Sequence, residues 1–246
     1  KRMLETNDPV YQEAKSNLAL AYKNSGKVER ALKIYEELDF RGPWSSKARY
    51  NYGITLVTNE RFKEGWKNYE YRWKVPPSNA VKWPFSDKPV WKGERGRQVV
   101  LWKEQGIGDQ IIFLSLMSEV KEMCSSLSVY VDPRLQALCK RAMPEINFIK
   151  DIEALKYVEC DYHLPIGSIP GLLRNDISDF DRTVKGYLKA DAQRVASIRN
   201  ELKLDGKTVI GISWKSSNTP YKTKSVQLKD LGRIFSGLDV VLVNLQ

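Results

Sequence analysis

The chain has 246 residues, 42% of them hydrophobic, enough for one or two globular domains and too apolar for a disordered chain. It contains no run of 18 apolar residues, so a membrane-spanning helix is not expected. Net charge is +10 at pH 7, and most of it sits in front: residues 1–97 carry 20 Lys+Arg against 12 Asp+Glu, residues 98–246 carry 20 against 18.

A basic front half suits nucleic acid, an acidic glycan or a membrane surface; a solvated helix face is the plainer reading. Cys124, Cys139 and Cys160 lack CxxC spacing and there is one histidine. No metal site is expected, and the thiols fit a reduced, cytoplasmic protein, membrane-peripheral at most. The chain opens on Lys1 rather than Met, so a fragment and a lost targeting segment stay open.

Residues 1–72 repeat with an offset of 34: Leu18 with Tyr52, Ala19 with Gly53, Tyr22 with Leu56, Ala31 with Gly65 and Tyr35 with Tyr69. Small residues at the Ala19/Gly53 and Ala31/Gly65 positions let paired helices approach, and large ones at Tyr22/Leu56 and Tyr35/Tyr69 fill the space between pairs. Gly26 suits the turn inside the first pair and Gly42-Pro43 separates the pairs; Glu60 stands where Gly26 would recur. These residues resemble the tetratricopeptide repeat. The resemblance implies helical hairpins that bind a peptide or protein partner.

Residues 73–97 form a connector. Pro76, Pro77, Pro84 and Pro89 forbid a through-running helix, and Trp73, Trp83 and Trp91 are expected to bury against both neighbours as a fixed joint, with stacking on a sugar or base as the alternative.

Residues 98–190 alternate strands and helices. Strand Val99–Trp102 leads through Gly106 and Gly108 into a helix predicted over Asp109–Cys124, with Ile112, Leu116 and Val120 on one face. Two glycines there are expected to give a sharp turn open to a ligand. Strand Leu127–Val131, helix Arg134–Ala142, short strand Asn147–Ile149 and strand Tyr162–Ile166 follow. This order predicts a parallel sheet covered on both faces, with ligands at the carboxyl ends of the strands, near Asp109 and His163.

Residues 191–246 begin a second such unit: helix Ala192–Leu202, strand Thr208–Trp214, a polar loop from Lys215 to Ser225, helix Leu228–Phe235 and strand Val240–Leu245. The loop has three lysines and five Ser/Thr hydroxyls, so it reads either as a phosphate cradle or as a solvated loop. One βαβ unit cannot cover its own sheet, so a domain continuing past Gln246 is expected.

Taken in order, the repeats, the Trp/Pro connector, Trp102-Lys103-Glu104-Gln105-Gly106-Ile107-Gly108-Asp109, Tyr162-His163-Leu164-Pro165-Ile166-Gly167-Ser168-Ile169-Pro170 and Gly211-Ile212-Ser213-Trp214 resemble bacterial repeat proteins whose C-terminal half is similar to glycosyltransferase family 9, the heptosyltransferase-like enzymes. The resemblance implies an α + α/β chain: tetratricopeptide hairpins, a GT-B-like doubly wound domain for the acceptor, and the start of a second domain for the donor. It implies inverting, metal-independent transfer from a nucleotide-diphosphate sugar to a glycan or protein, without a cofactor.

By that resemblance Asp109 matches the general base, Gln105, Gly106, Gly108, His163 and Ser168 fall on the substrate side, and Trp214, Ser216, Ser217 and Lys224, or Lys222 in its place, face the donor phosphates. Inversion needs a base for the acceptor hydroxyl and positive charge for the leaving diphosphate, which are the residue types found. With the rest of the second domain absent, the chain as given is expected not to turn over.

Three rivals remain. A non-catalytic repeat scaffold for protein–protein interaction uses the same features. A dinucleotide-dependent oxidoreductase is disfavoured by Ile111 at the third glycine position and by a carboxylate at Asp109. Nucleic-acid binding rests on the basic front half alone.

Overall fold

A computed structural model of the chain describes residues 8–42, 44–76, 83–85, 87–182, 186–204, 206–215 and 225–245. The chain divides into two compact units, Lys1–Lys189 and Ala190–Gln246.

The first unit begins with two helical hairpins, α1 (Pro9–Asn24) with α2 (Val28–Glu36) and α3 (Ser45–Thr58) with α4 (Phe62–Tyr69). Asp8 starts α1 by accepting from the Val10 N–H at 2.8 Å. The 34-residue offset has a direct packing meaning. Ala19 and Ala31 are fully buried in the first hairpin. In the second, a Cβ on Gly53 would lie 2.6 Å from the Tyr69 nitrogen and 2.8 Å from the Gly65 oxygen. Tyr35 and Phe40 of the first hairpin cover Tyr52, at ring distances of 5.4 and 5.9 Å. Leu18 occupies the equivalent place, has no hairpin before it among the described residues, and is 49% exposed. Glu60, where the repeat would want glycine, still adopts the left-handed conformation of Gly26, with φ of 60° and 77°.

A 3-10 turn, Glu70–Lys74, continues from α4 towards the sheet. The sheet has four parallel strands, β1 (Arg97–Trp102), β2 (Cys124–Tyr130), β3 (Asn147–Ile149) and β4 (Tyr162–Pro165), in the order β3-β2-β1-β4. Every pair is parallel, with Val99 opposite Leu127 on one side and Tyr162 on the other. The chain steps outward from β1 to β3 and returns to the far side of β1 as β4. The crevice between the carboxyl ends of β1 and β4 is therefore the switch point of the sheet.

The two faces are covered differently. Val99, Leu101, Leu127 and Val129 face a core closed by α5 (Ile107–Leu114), α6 (Met117–Met123) and α7 (Gln136–Ala142). Val100, Trp102, Tyr130 and Ile149 face a second core made with Phe85, Leu155, Cys160, Trp73 and Trp83. The connector thus takes the place of a helical layer, and strand–helix alternation alone does not reveal this. Trp73, Trp83 and Trp102 lie 5.2–5.4 Å apart by ring centroid. The connector also protects the edge beyond β4, where the Trp91 N–H donates to the His163 carbonyl at 2.9 Å.

One predicted helix is two. The chain turns at Ser115–Leu116 between α5 and α6, and the break resets the helical phase. Ile112, expected in the core, is 67% exposed, while Gln110, Phe113 and Leu114 are buried. Leu116 and Val120 are buried as expected. A short helix α8 (Pro170–Leu173) follows β4.

The second unit contains α9 (Ala192–Glu201), β5 (Val209–Ile212), α10 (Leu228–Phe235) and β6 (Val241–Asn244), with β5 and β6 parallel and Val209 opposite Val241. No helix among the described residues is long and apolar enough to cross a membrane.

Gly53→Ala is expected to destabilise the first unit by about 1–3 kcal/mol, because the added methyl meets backbone that has no rotamer to yield. Urea titration of the chain and its G53A variant measures this; an unchanged midpoint would mean that the hairpin does not need the close approach.

Candidate functional site

The helical hairpins meet the sheet at Arg72. This side chain, on the 3-10 turn after α4, is 4% exposed. Its Nε and one terminal nitrogen donate to the two carboxylate oxygens of Glu104 at 2.8 and 2.7 Å. The same nitrogen donates to Ser168 Oγ at 2.7 Å, and the other donates to Glu70 at 2.7 Å. Ser168 Oγ in turn donates to Glu70 at 2.8 Å. Glu104 also accepts from the Gly167 N–H at 2.9 Å, and a Cβ on Gly167 would sit 2.5 Å from that carboxylate. The guanidinium stacks on Tyr69 and Trp73, 4.5 and 4.9 Å from the ring centroids. Burial works against the Arg72 charge, but its bonds and charge contacts with Glu104 and Glu70 outweigh burial and raise its pKa.

Glu104 follows β1 and Gly167 follows β4, so this cluster fills the switch-point crevice. A second contact fixes the joint: Trp66 Nε1 donates to the Arg174 carbonyl at 2.6 Å, and Phe62 packs on Phe180 at 4.8 Å.

Next to the plugged crevice the joint leaves an open cleft of about 530 Å³. The hairpins and connector supply one wall with Tyr50, Arg72, Trp73, Val75 and Pro76; the sheet side supplies Trp102, Lys103, Glu104, Gln105, Gln110 and Asp132. All of these sheet-side residues but Gln110, which is on α5, stand at or just past the carboxyl ends of β1 and β2, where ligands of parallel sheets collect. Lys103 reaches Asp132 at 3.7 Å and lies over the Tyr130 ring. Hydrogen bonds from Arg134 hold the Asp132 carboxyl down at about 2.

Gln105 has φ of 59°, so the turn after β1 uses a non-glycine residue in the left-handed region. Neither Gly106 nor Gly108 has positive φ. The sequence expectation that the glycines make this turn is corrected accordingly. Gln105 is held there by its side chain, which donates to Tyr69, and by its carbonyl, which accepts from Gln110. Strained backbone of this kind concentrates at functional sites.

Asp109, the third residue of α5, is exposed and does not itself line the cleft, whereas Gln105 and Gln110 on either side of it in the sequence do. Its Oδ2 accepts from the Gly106 N–H at 3.1 Å, which caps the helix and orients the carboxylate. Tyr50 is close enough to feel its charge: burial raises the Tyr50 pKa, and Asp109 and Glu104 add to the rise while Arg72 opposes it.

The remaining sequence candidates separate. Gln105 lines the cleft, and Gly106 and Gly108 are exposed beside it. Ser168 is buried in the Arg72 cluster, where it serves the joint and does not face the cleft. His163 is 1% exposed in the aromatic layer, with its Nδ1 accepting from Trp102 Nε1 at 3.0 Å and its ring against Trp83 and Phe85. A substrate contact for His163 is not open in this arrangement. Trp214 follows β5, and its carbonyl accepts from the Val226 N–H at 3.0 Å. Ser216, Ser217, Lys222 and Lys224 lie outside the described residues.

Tyr50, Lys103, Gln110 and Asp132 are not among the candidates that the sequence offers for this site. Burial pushes the Cys124 and Cys139 thiols up to about 11, which disfavours either as a nucleophile at neutral pH.

No protein-family model matches the chain. It is 28% identical over 231 aligned positions to Protein FlbA of Caulobacter vibrioides, an alignment taking in 85% of this chain and 38% of that protein. The chain therefore spans well under half the length of this relative.

Two predictions follow from the joint and its histidine. Arg72→Met strips the buried Glu104 of its countercharge and Glu104→Gln leaves Arg72 only the more exposed Glu70, and each is expected to cost about 3–5 kcal/mol. The double variant should lose less than the sum of the two, and additive losses in a chemical-denaturation cycle would refute the coupling. Burial holds the His163 pKa below its ordinary 6.5, while the Lys88 backbone and Asp87 pull the other way. The unfolded chain therefore takes up this proton first on acidification. The contribution is full above 6.5 and is lost as pH falls from there through the lower folded value. The melting temperature should drop over that window, and His163→Gln, which can retain an acceptor for Trp102, should flatten the drop.

Proposed function

We propose that the chain belongs to a glycosyltransferase of the heptosyltransferase-like, GT-B type, carried on tetratricopeptide hairpins, and that it transfers a sugar from a nucleotide-diphosphate donor with inversion. One observation carries this reading: an exposed carboxylate, Asp109, is held by the first turn of α5 directly after β1, beside an open cleft at the carboxyl ends of the strands. One oxygen of Asp109 is engaged by the Gly106 N–H, which sets the direction of the other. A carboxylate so placed can take the proton of an acceptor hydroxyl as that oxygen attacks the anomeric carbon from the face opposite the diphosphate. In this reading Lys222, Lys224, Ser216 and Ser217, which the resemblance matches to donor-phosphate contacts, supply the charge and hydroxyl donors that a leaving diphosphate needs.

The tetratricopeptide reading is supported by the offset of 34 and by the close approach at Gly53 and Gly65. The two-domain reading is supported by a second βαβ unit after residue 190. Donor sugar, nucleotide and acceptor belong to the whole protein, of which this chain contributes the hairpins, the acceptor-side domain and the start of the donor-side domain in this reading.

The second reading is a non-catalytic scaffold. It is favoured by the Arg72 cluster, which fills the crevice where a sheet of this order ordinarily takes its ligand. In that case Asp109 is a helix cap and the hairpins hold a partner.

The two separate on Asp109→Asn in the complete gene product, assayed with UDP-, GDP-, ADP- and CDP-sugars. The enzyme reading expects transfer to fall about 10²- to 10⁴-fold with donor affinity retained. Donor binding absent from a folded, complete protein would leave the scaffold, and transfer unaffected by the substitution would refute Asp109 as the base.

A further inference from the structure

The cleft beside Asp109 has two walls of different origin, and their chemistry limits what it can hold. On the sheet side the polar groups are largely spent on one another. Both oxygens of Glu104 bond Arg72. The Gln110 amide nitrogen donates to the Gln105 carbonyl and its oxygen accepts from the Asp132 N–H. The Gln105 side chain donates to Tyr69. The Asp132 carboxylate is taken by Arg134 and Lys103.

On the hairpin side the lining is largely aromatic and apolar, Tyr50, Trp73, Val75 and Pro76, together with Arg72, whose donors are taken by Glu104, Ser168 and Glu70. The Tyr50 hydroxyl makes no hydrogen bond among the described residues, and burial raises its pKa while keeping the phenol protonated near neutral pH. It is an unused donor on a wall near Asp109.

A sugar ring carries several hydroxyls, and each one buried without a partner costs about 1–3 kcal/mol. With both carboxylates and the Gln110 amide already taken, the sheet side offers few partners for so many hydroxyls, chiefly Lys103 and the Gln105 side-chain oxygen. An extended polypeptide asks for less: its side chains pack on aromatic and proline surfaces, and its backbone groups need a few bonds that solvent at an open cleft can share.

We propose that the cleft binds an extended segment of a polypeptide bearing a serine or threonine, and that Tyr50 positions the hydroxyl of that residue towards Asp109. The hairpins then form one wall of the acceptor site, held in place by the buried Arg72–Glu104 pair. This inference rests on the transferase reading for the identity of the reaction, but the binding itself requires no donor. Tyr50 acts here as a positioning residue, distinct from the proton-accepting carboxylate.

The test is direct binding to the folded chain without any nucleotide sugar. The probes are a library of serine- and threonine-containing decapeptides and a panel of neutral mono- and oligosaccharides, read by tryptophan fluorescence and by the indole N–H resonances. Peptides are expected to bind and to shift the Trp73 and Trp102 indole signals. Tyr50→Phe should weaken binding several-fold by losing the hydroxyl, and Tyr50→Ala at least tenfold, with melting temperature retained for Tyr50→Phe. In the complete gene product, Tyr50→Phe should raise KM for the peptide more than it lowers kcat.

Saccharide binding in the cleft without peptide binding would overturn the proposal, as would peptide binding indifferent to both variants, or no binding of either class. Peptide binding that depends on Tyr50 in a protein that never transfers sugar would leave this proposal standing and defeat the transferase reading alone.

Discussion

The buried pair between Arg72 and Glu104 is the constraint on which the rest of the first unit depends. Four guanidinium N–H groups are matched to oxygen atoms from three residues, and the ring faces of Tyr69 and Trp73 close over the plane. A charge this deep in protein is tolerable only when its donors are matched and its countercharge sits at contact distance. Lysine could not reproduce the arrangement, because a point charge with three donors has no fork to lay against a carboxylate. The pair therefore sets one relative placement of hairpins and sheet.

That placement has a chemical consequence. In a parallel sheet ordered β3-β2-β1-β4 the carboxyl ends of β1 and β4 bound an empty crevice. Here Glu104, Gly167 and Ser168 line it and Arg72 closes it from the side of the hairpins. The usable opening moves towards β2, between Trp102, Lys103 and Asp132, and takes Tyr50 and Trp73 as its outer wall. The hairpins are thus part of the site, and a change in their packing at Gly53 or Gly65 would be felt there through α4 and the 3-10 turn that carries Arg72.

The aromatic connector acts by the same logic on the other side of β1. A sheet face carrying Val100, Trp102 and Tyr130 must be covered. Trp73, Trp83 and Phe85 cover it without a helix, and His163 is drawn into the layer as a neutral ring that accepts from an indole N–H. A lone histidine in a strand that leads to a glycine turn looks like a ligand contact in one dimension. In three dimensions its neighbours are tryptophan and phenylalanine faces.

What the sequence determined by itself was whatever local chemistry and periodicity can dictate. The 34-residue offset and its small residues specify two close-packed hairpins, because only Ala and Gly permit that backbone approach. The apolar runs at residues 99–102 and 127–131 and the helices between them specify a parallel sheet, and Asp109 reads as a helix-start carboxylate from its place after Gly106 and Gly108.

Only the tertiary structure decided the rest. Ile112 faces outward because the break at Ser115 offsets the phase of α5 from that of α6, and no local pattern reports that offset before the two helices are seated. Arg72 and Glu104 stand 32 positions apart, and Arg72 and Ser168 stand 96 apart; no local pattern pairs them. Tyr50 entered the cleft for the same reason: its neighbours there come from β1, α5 and the end of β2, and long-range packing alone brings them to one place.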